Sequence, residues 1–153
     1  TSVTSVVKAL TELPLEDLEV DVPPRVPLQV RDHPVHARRQ AEQAVGHQIQ
    51  NAIVASKPHQ PVSVRMGGGN GHVTIAISDV GAGMDAEFVR TRLFQPFAST
   101  KKGGFGVGAF EAKSLVSAMG GRLTVESRPG EGSLFTIILP AAEATPEPKR
   151  KTA

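Results

Sequence analysis

The spacing of apolar residues along this chain predicts two long helices and one short helix. Residues 34–56 carry an apolar stripe made of Ala41, Val45, Ile49 and Ile53, flanked by Ala44 and Ala52. Residues 106–119 carry a second apolar face made of Val107, Phe110, Leu115, Val116 and Met119. A shorter helix is predicted over residues 85–94, where Asp85 is suited to the N-cap position.

Alternating apolar and polar residues predict strands in the remaining parts of the chain. Residues 62–66 and 72–79 form a predicted hairpin through a glycine-rich turn at 67–71. Residues 122–127 and 133–139 form a second hairpin. Two short, proline-flanked segments, 18–22 and 26–30, suit strands at a sheet edge, and residues 1–13 suit a helix end or a linker.

These elements predict an α+β fold with two layers, a two-layer sandwich. Three helices should pack on one face of a mixed, mostly antiparallel sheet, with the segment 94–102 forming a roof over the space between the layers. We expect residues 1–31 to hold a linker and edge strands, residues 32–140 to form the domain core, and residues 141–153 to be a disordered tail rich in Pro, Glu, Ala and Lys.

Composition narrows the class of protein. The chain has 153 residues, no Cys and a formal net charge of +2, which suits one domain without disulfides and gives no case for nucleic-acid binding. No apolar run approaches the ~20 residues of a membrane span, so we expect no direct membrane contact by this chain. Because it begins with Thr1 and not Met, we expect it to be a fragment of a longer protein.

The residues best suited to binding a ligand are concentrated between positions 78 and 108. Asp79 ends an apolar strand and is followed by Gly81 and Gly83. A buried carboxylate there could accept a hydrogen bond from the amino group of a base, and glycines allow the backbone to approach a ligand closely. A second cluster, Gly103, Gly104, Gly106 and Gly108, leads into the second long helix, whose N-terminal amides would face phosphates.

Five motifs in this order make residues 32–140 resemble the ATP-binding catalytic domain of sensor histidine kinases, whose superfamily includes gyrase, Hsp90 and MutL. They are Gln50-Asn51-Ala52, Asp79-x-Gly81-x-Gly83, Phe94-x-Pro96-Phe97 followed by Thr100-Lys101, Gly104-x-Gly106-x-Gly108, and Ser127-x-Pro129-Gly130-x-Gly132-x-x-Phe135. The resemblance implies a Bergerat-type fold that binds ATP and Mg²⁺. Two motif variants further resemble the exosortase-associated PrsK sensor kinases. They are Gly46-His47-Gln48-Ile49-Gln50-Asn51-Ala52 and Gly104-Phe105-Gly106-Val107-Gly108-Ala109-Phe110-Glu111-Ala112.

The resemblance also implies roles for individual residues. Asp79 would accept a hydrogen bond from the adenine amine, Asn51 would ligate Mg²⁺ through its amide oxygen, and Lys101 would neutralise phosphate charge during catalysis. Phe94 and Phe97 should pack at the base of the roof segment. The full set of implied nucleotide contacts is Asn51, Asp79, Gly81, Gly83, Phe97, Thr100, Lys101, Gly104, Gly106, Val107 and Gly108.

His47 has more than one interpretation. It occupies the position at which the ATPase branches of the superfamily carry a glutamate base. An imidazole there could act as a catalytic base, orient a water molecule, accept the proton of the incoming histidine, or serve only as a polar neighbour of the site. Lys102 could likewise be a phosphate contact or a solvated loop lysine.

The function that the resemblance implies is phosphoryl transfer from Mg-ATP to a histidine on a separate helical domain of the same kinase, for relay to a response regulator. The chain would be a cytoplasmic part of a membrane-anchored kinase. The alternatives are an ATP hydrolase of the gyrase or MutL kind and a non-catalytic nucleotide-binding module of the anti-sigma or pseudokinase kind. The missing glutamate at position 47 and the short segment between Phe97 and Gly104 count against the hydrolase.

Overall fold

The computed structural model describes residues 18–21, 34–98 and 107–141 of the chain. They form five strands and three helices. The strands are β1 (Leu18–Asp21), β2 (Val62–Gly69), β3 (His72–Asp79), β4 (Arg122–Arg128) and β5 (Gly132–Pro140), and the helices are α1 (Pro34–Ala55), α2 (Ala86–Thr91) and α3 (Gly108–Ala118).

The strands form one mixed sheet in the order β1-β2-β3-β5-β4. Three pairs are antiparallel, and β1 adds a parallel edge strand beside β2. The predicted fold class is confirmed, as is the edge strand predicted over residues 18–22. The strand predicted over residues 26–30 and the helix or linker predicted over residues 1–13 lie outside the described residues.

The core forms where alternate residues of the central strands face the helices. The register places Ile75 opposite Ile137 and Ile77 opposite Phe135, and all four side chains are buried. Burying an aliphatic side chain of this size contributes about 1.5–3 kcal/mol relative to leaving it exposed. This central pair of strands is therefore the main stabilising unit of the sheet, and β3 delivers Asp79 to its end.

Helix α1 packs on α3. Its predicted stripe is buried at Ala41, Val45 and Ile49, and α3 is buried at Ala109 and Ala112. The packing of these two helices brings the functional side chains of α1 beside the first turn of α3.

Three details of the predicted elements are corrected. Strand β2 continues to Gly69 because Gly67–Gly69 pair with β3, so the turn is reduced to Asn70 and Gly71, both at positive φ. Helix α2 ends at Thr91, before the predicted residue 94, although its Asp85 cap is confirmed by a 2.8 Å hydrogen bond from Phe88 N–H. Phe110 is 39% exposed, so its predicted place in the apolar face of α3 is wrong.

Pairing extends to Ala141, whose N–H donates to the Gly71 carbonyl at 2.8 Å. The rest of the predicted tail lies outside the described residues. Within the described ranges, no helix combines the length and the apolar character that crossing a membrane requires.

Candidate functional site

Asp79 occupies the end of β3 on the same face of the sheet as the core isoleucines. Its side chain is 6% exposed, as the strand pattern predicted. The carboxylate is held in place locally because its Oδ1 accepts a hydrogen bond from Gly81 N–H at 2.9 Å. Because the backbone already orients this buried acid, it can offer a fixed hydrogen-bond acceptor to a ligand with no further loss of side-chain entropy.

The two glycines after Asp79 allow close approach between parts of the protein backbone. A Cβ on Gly81 would collide with the Ala55 carbonyl at the end of α1, and one on Gly83 would collide with the Arg128 carbonyl at the end of β4. Gly83 also has a φ of +64°, which side chains with a Cβ rarely adopt. We expected these glycines to bring the chain close to a ligand; the close approach present in the structure is to α1 and β4.

Hydrogen bonds fasten the loop after Asp79 to the hairpin of β4 and β5. Gly130 N–H donates to the Ala82 carbonyl at 2.7 Å, and Met84 N–H donates to Ser127 Oγ at 2.8 Å. Ser127 Oγ also lies 2.8 Å from Ser133 Oγ. Through these hydrogen bonds, the motif around Ser127 and Gly130 fixes the position of the loop that follows Asp79.

The polar side of α1 faces the start of α3. His47 and Asn51 are both partly buried, one helical turn apart. A Cβ built on Gly108 would lie 3.5 Å from Asn51 Oδ1 and 3.8 Å from His47 Nδ1. These two polar side chains of α1 therefore lie beside the first residue of α3.

The N-terminus of α3 has amides without a capping side chain. Val107 occupies the N-cap position and makes no side-chain cap hydrogen bond. Glu111 N–H is satisfied by the Val107 carbonyl at 2.8 Å, but the amides before it precede the first intrahelical bond. Such an end attracts anions through its orphan N–H groups and the helix dipole.

Helix α1 links these features into one line. His47, Asn51 and Ala55 follow one another at four-residue intervals, about 6 Å per step. Gly108 lies against His47 and Asn51, and Gly81 lies against Ala55. We call the group of Asp79, Gly81 and Gly83 the Asp79 end of the site, and the group of His47, Asn51 and Gly108 the α3 end.

Two site features were not foreseen. His47 Nε2 lies 2.9 Å from Glu111 Oε2, and this nitrogen is buried without a hydrogen bond of standard geometry to the described part of the chain. Gln48 is fully buried, and neither the oxygen nor the nitrogen of its amide has a hydrogen-bond partner among the described residues. Gln48 could have been found from its spacing, since it lies four residues from both Ala44 and Ala52; Glu111 had no such signal.

The segment between α2 and α3 agrees only in part with prediction. Phe94 is partly buried against the core, and Lys113 Nζ of α3 lies 4.5 Å from the centre of its ring, within cation–π range. Phe97 is 79% exposed with a φ of +62°, so the prediction that it packs beneath the roof is wrong. The predicted contacts Thr100, Lys101, Gly104 and Gly106, with Lys102 and most of the roof, lie outside the described residues.

Comparison with known proteins decides the family. Residues 36–143 match the model of the histidine kinase-, DNA gyrase B- and HSP90-like ATPases. The chain belongs to this ATPase family. Among its relatives are the sensor histidine kinase ZraS of Klebsiella oxytoca, 42% identical over 47% of this chain, and the sensor protein FixL of Bradyrhizobium diazoefficiens, 32% identical over 69% of it. The match spans 15% of ZraS and 21% of FixL.

Solved structures of this ATPase family share the fold. The mycobacterial sensor histidine kinase MprB superposes with a TM-score of 0.72 at 25% identity, covering 91% of each chain. Full-length ShkA in complex with AMPPNP superposes with a TM-score of 0.76 at 22% identity, covering 94% of this chain and 31% of ShkA. The predicted resemblance to sensor histidine kinases is confirmed, and residues 36–143 form the ATPase domain that these kinases share.

Proposed function

We propose that this domain binds Mg-ATP along α1, with adenine at the Asp79 end and the phosphates at the α3 end. The observation that carries the proposal is the contact of Gly81 with Ala55 and of Gly108 with Asn51, which places the two ends on one side of one helix. Ala55 lies one helical turn, about 6 Å, from Asn51 and two turns, about 12 Å, from His47, which also lies beside Gly108, and this range suits an extended nucleotide.

Asp79 would recognise the base. Its carboxylate is an acceptor and would pair with the adenine exocyclic amine, a donor that guanine lacks at that position. Gly81 N–H already orients Oδ1, so the group is organised before the ligand arrives. Adenine is therefore the base that this end should select.

The α3 end would hold the phosphates. The uncapped amides of the first turn of α3 supply donors, and Val107 and Gly108 are the described members of this set. From the glycine and roof segments we assign Gly104, Gly106, Thr100 and Lys101 to the same phosphates. We also assign Phe97 to the nucleotide, since its exposed ring is available for contact with a ligand.

Asn51 fits a magnesium site that is completed by phosphate oxygens. No group of three or more His, Cys, Asp or Glu side chains in the described ranges could hold a metal. Mg²⁺ commonly takes one or two protein oxygens together with phosphates and water, so a single amide oxygen beside the phosphate-binding helix is sufficient. When bound, the ion would neutralise phosphate charge.

The activity that we propose for the whole protein is transfer of the γ-phosphoryl group to a histidine on a separate helical domain, followed by relay to a response regulator. The acceptor in this family is usually followed at once by an acidic residue. None of the five histidines here is, since they precede Pro34, Ala37, Gln48, Gln60 and Val73. We also propose a cytoplasmic location beneath a membrane-anchored parent, and membership of the PrsK type on the basis of the Gly46-His47-Gln48 variant.

The test is a labelling experiment with radioactive ATP. The chain alone should bind Mg-ATP in calorimetry but acquire no acid-labile, base-stable label, because in-line transfer needs a histidine presented by another domain. Adding the helical domain of the parent protein should produce that label. Stable labelling of the chain alone would contradict the proposed division of roles.

A further inference from the structure

A histidine and a carboxylate meet at the α3 end, and the five motifs assign no role to the carboxylate. His47 comes from α1 and Glu111 from the first turn of α3, with 2.9 Å between Nε2 and Oε2. Nε2 is shielded from solvent, whereas the His47 side chain as a whole is 29% exposed. Although this nitrogen makes no hydrogen bond of standard geometry with the described residues, Glu111 Oε2 lies 2.9 Å away and is the acceptor within its reach.

This contact determines which ring nitrogen faces the site. A neutral imidazole has one donor and one acceptor nitrogen, and an ionised carboxylate can only accept. In a neutral ring, therefore, the 2.9 Å approach of Oε2 requires the hydrogen on Nε2 and leaves the lone pair on Nδ1. Nδ1 is also the nitrogen beside α3, 3.8 Å from the position that a Cβ of Gly108 would take.

We propose that Glu111 is a positioning residue that holds His47 in the Nε2–H tautomer, with Nδ1 directed to the phosphate-binding end of α3. The proposal rests on the function proposed above. With His47 oriented in this way, the chain would hydrolyse ATP slowly without any other domain. The oxygen of a water molecule bonds to the γ-phosphorus, the bond from that phosphorus to the bridging oxygen breaks with its electron pair leaving on ADP, and Nδ1 takes the proton that the water loses.

The tautomer can be observed directly by NMR. In the full chain labelled with ¹⁵N-histidine, the His47 signals are those that disappear in His47→Gln. Wild type should show a neutral ring protonated at Nε2. Glu111→Ala should shift the ring towards the mixture of tautomers of a free imidazole, and Glu111→Gln, whose amide oxygen still accepts from Nε2–H, should restore the wild-type pattern.

The matched control is Glu126→Gln, which removes the same charge from an exposed site on β4 and should leave the His47 signals unchanged. A merely helix-stabilising role for the Glu111 charge at the start of α3 would leave the ring spectrum of Glu111→Ala unchanged. That result would overturn the proposal. So would a wild-type ring protonated on both nitrogens or on Nδ1.

Turnover supplies the second readout. His47→Gln should lower kcat for phosphate release by about 10²-fold, and Glu111→Ala by about tenfold, with KM and the calorimetric Kd for ATP changed less than about twofold. Equal kcat in wild type and Glu111→Ala would overturn the role of Glu111. Failure of wild type to bind ATP would instead overturn the proposed function, and the hydrolysis step with it.

Discussion

The two ends of the site are built in different ways. At the Asp79 end, Gly81 and Gly83 press against backbone carbonyls, and hydrogen bonds of 2.7–2.9 Å join the loop to itself and to the neighbouring hairpin. At the α3 end, a Cβ on Gly108 would make only ordinary contacts of 3.5–3.8 Å with described side chains, and Val107 at the N-cap makes no side-chain cap hydrogen bond. The residues of the first end therefore serve both the fold and the ligand, whereas those of the second can serve the ligand alone.

The largest expected effect is a difference in folding stability between glycine-to-alanine variants at the two ends of the site. Gly83→Ala should lower the free energy of unfolding by about 3 kcal/mol, because the new Cβ meets the Arg128 carbonyl at a positive φ. Gly108→Ala should change it by less than about 0.5 kcal/mol, since its Cβ finds ordinary van der Waals space.

Urea denaturation measures both stabilities. Gly130→Ala is the control for backbone strain alone, because it has a φ of +79° and no atom within 4 Å of the new Cβ; it should cost about 1 kcal/mol. Equal stability of the Gly83 and Gly108 variants would remove the structural distinction between the two ends.

Asp79→Asn should separate binding from folding at the Asp79 end. An amide oxygen can still accept from Gly81 N–H, so the fold should survive, but the charge-assisted bond to adenine is lost. Affinity for ATP should fall about ten- to a hundredfold, or ~1.5–3 kcal/mol. Calorimetry gives the affinity, and an unchanged Kd in a folded variant would place adenine elsewhere.

Asn51→Ala should have a smaller effect that is confined to the α3 end. Loss of one magnesium ligand should weaken ATP binding in the presence of Mg²⁺ by about tenfold, or ~1.4 kcal/mol. Binding in EDTA should change less. Parallel titrations with and without the metal measure the difference, and an equal loss in both would mean that Asn51 does not act through the ion.

The sequence predicted the elements best where burial follows a simple period. The stripes of β3 and α1 are of this kind, and so is buried Asp79, which continues the period of Ile75 and Ile77. The prediction of buried residues was wrong where tertiary packing determines which apolar residues of one helix are buried. Phe110 is apolar but exposed, whereas Ala109, Ala112 and Val116 are the buried residues of α3.

Contacts between distant segments could not be predicted in the same way. The strand pairing of Gly67–Gly69 uses backbone groups only, so composition favoured a loop there. Glu111 approaches His47 because α1 and α3 pack closely, and no local pattern records that distance. The roles of Gly81 and Gly83 in backbone packing depend equally on the positions of Ala55 and Arg128.

The most direct test of the two-ended site is an NMR titration of the ¹⁵N-labelled chain, first with adenosine and then with Mg-ATP. Adenosine should shift the amide signals of Gly81 and Ala82 and leave those of Gly108 and Ala109 in place, because it lacks phosphates. Mg-ATP should shift all four. If adenosine shifts Gly108 and Ala109, or if Mg-ATP leaves them unchanged, the proposed placement of base and phosphates along α1 is contradicted.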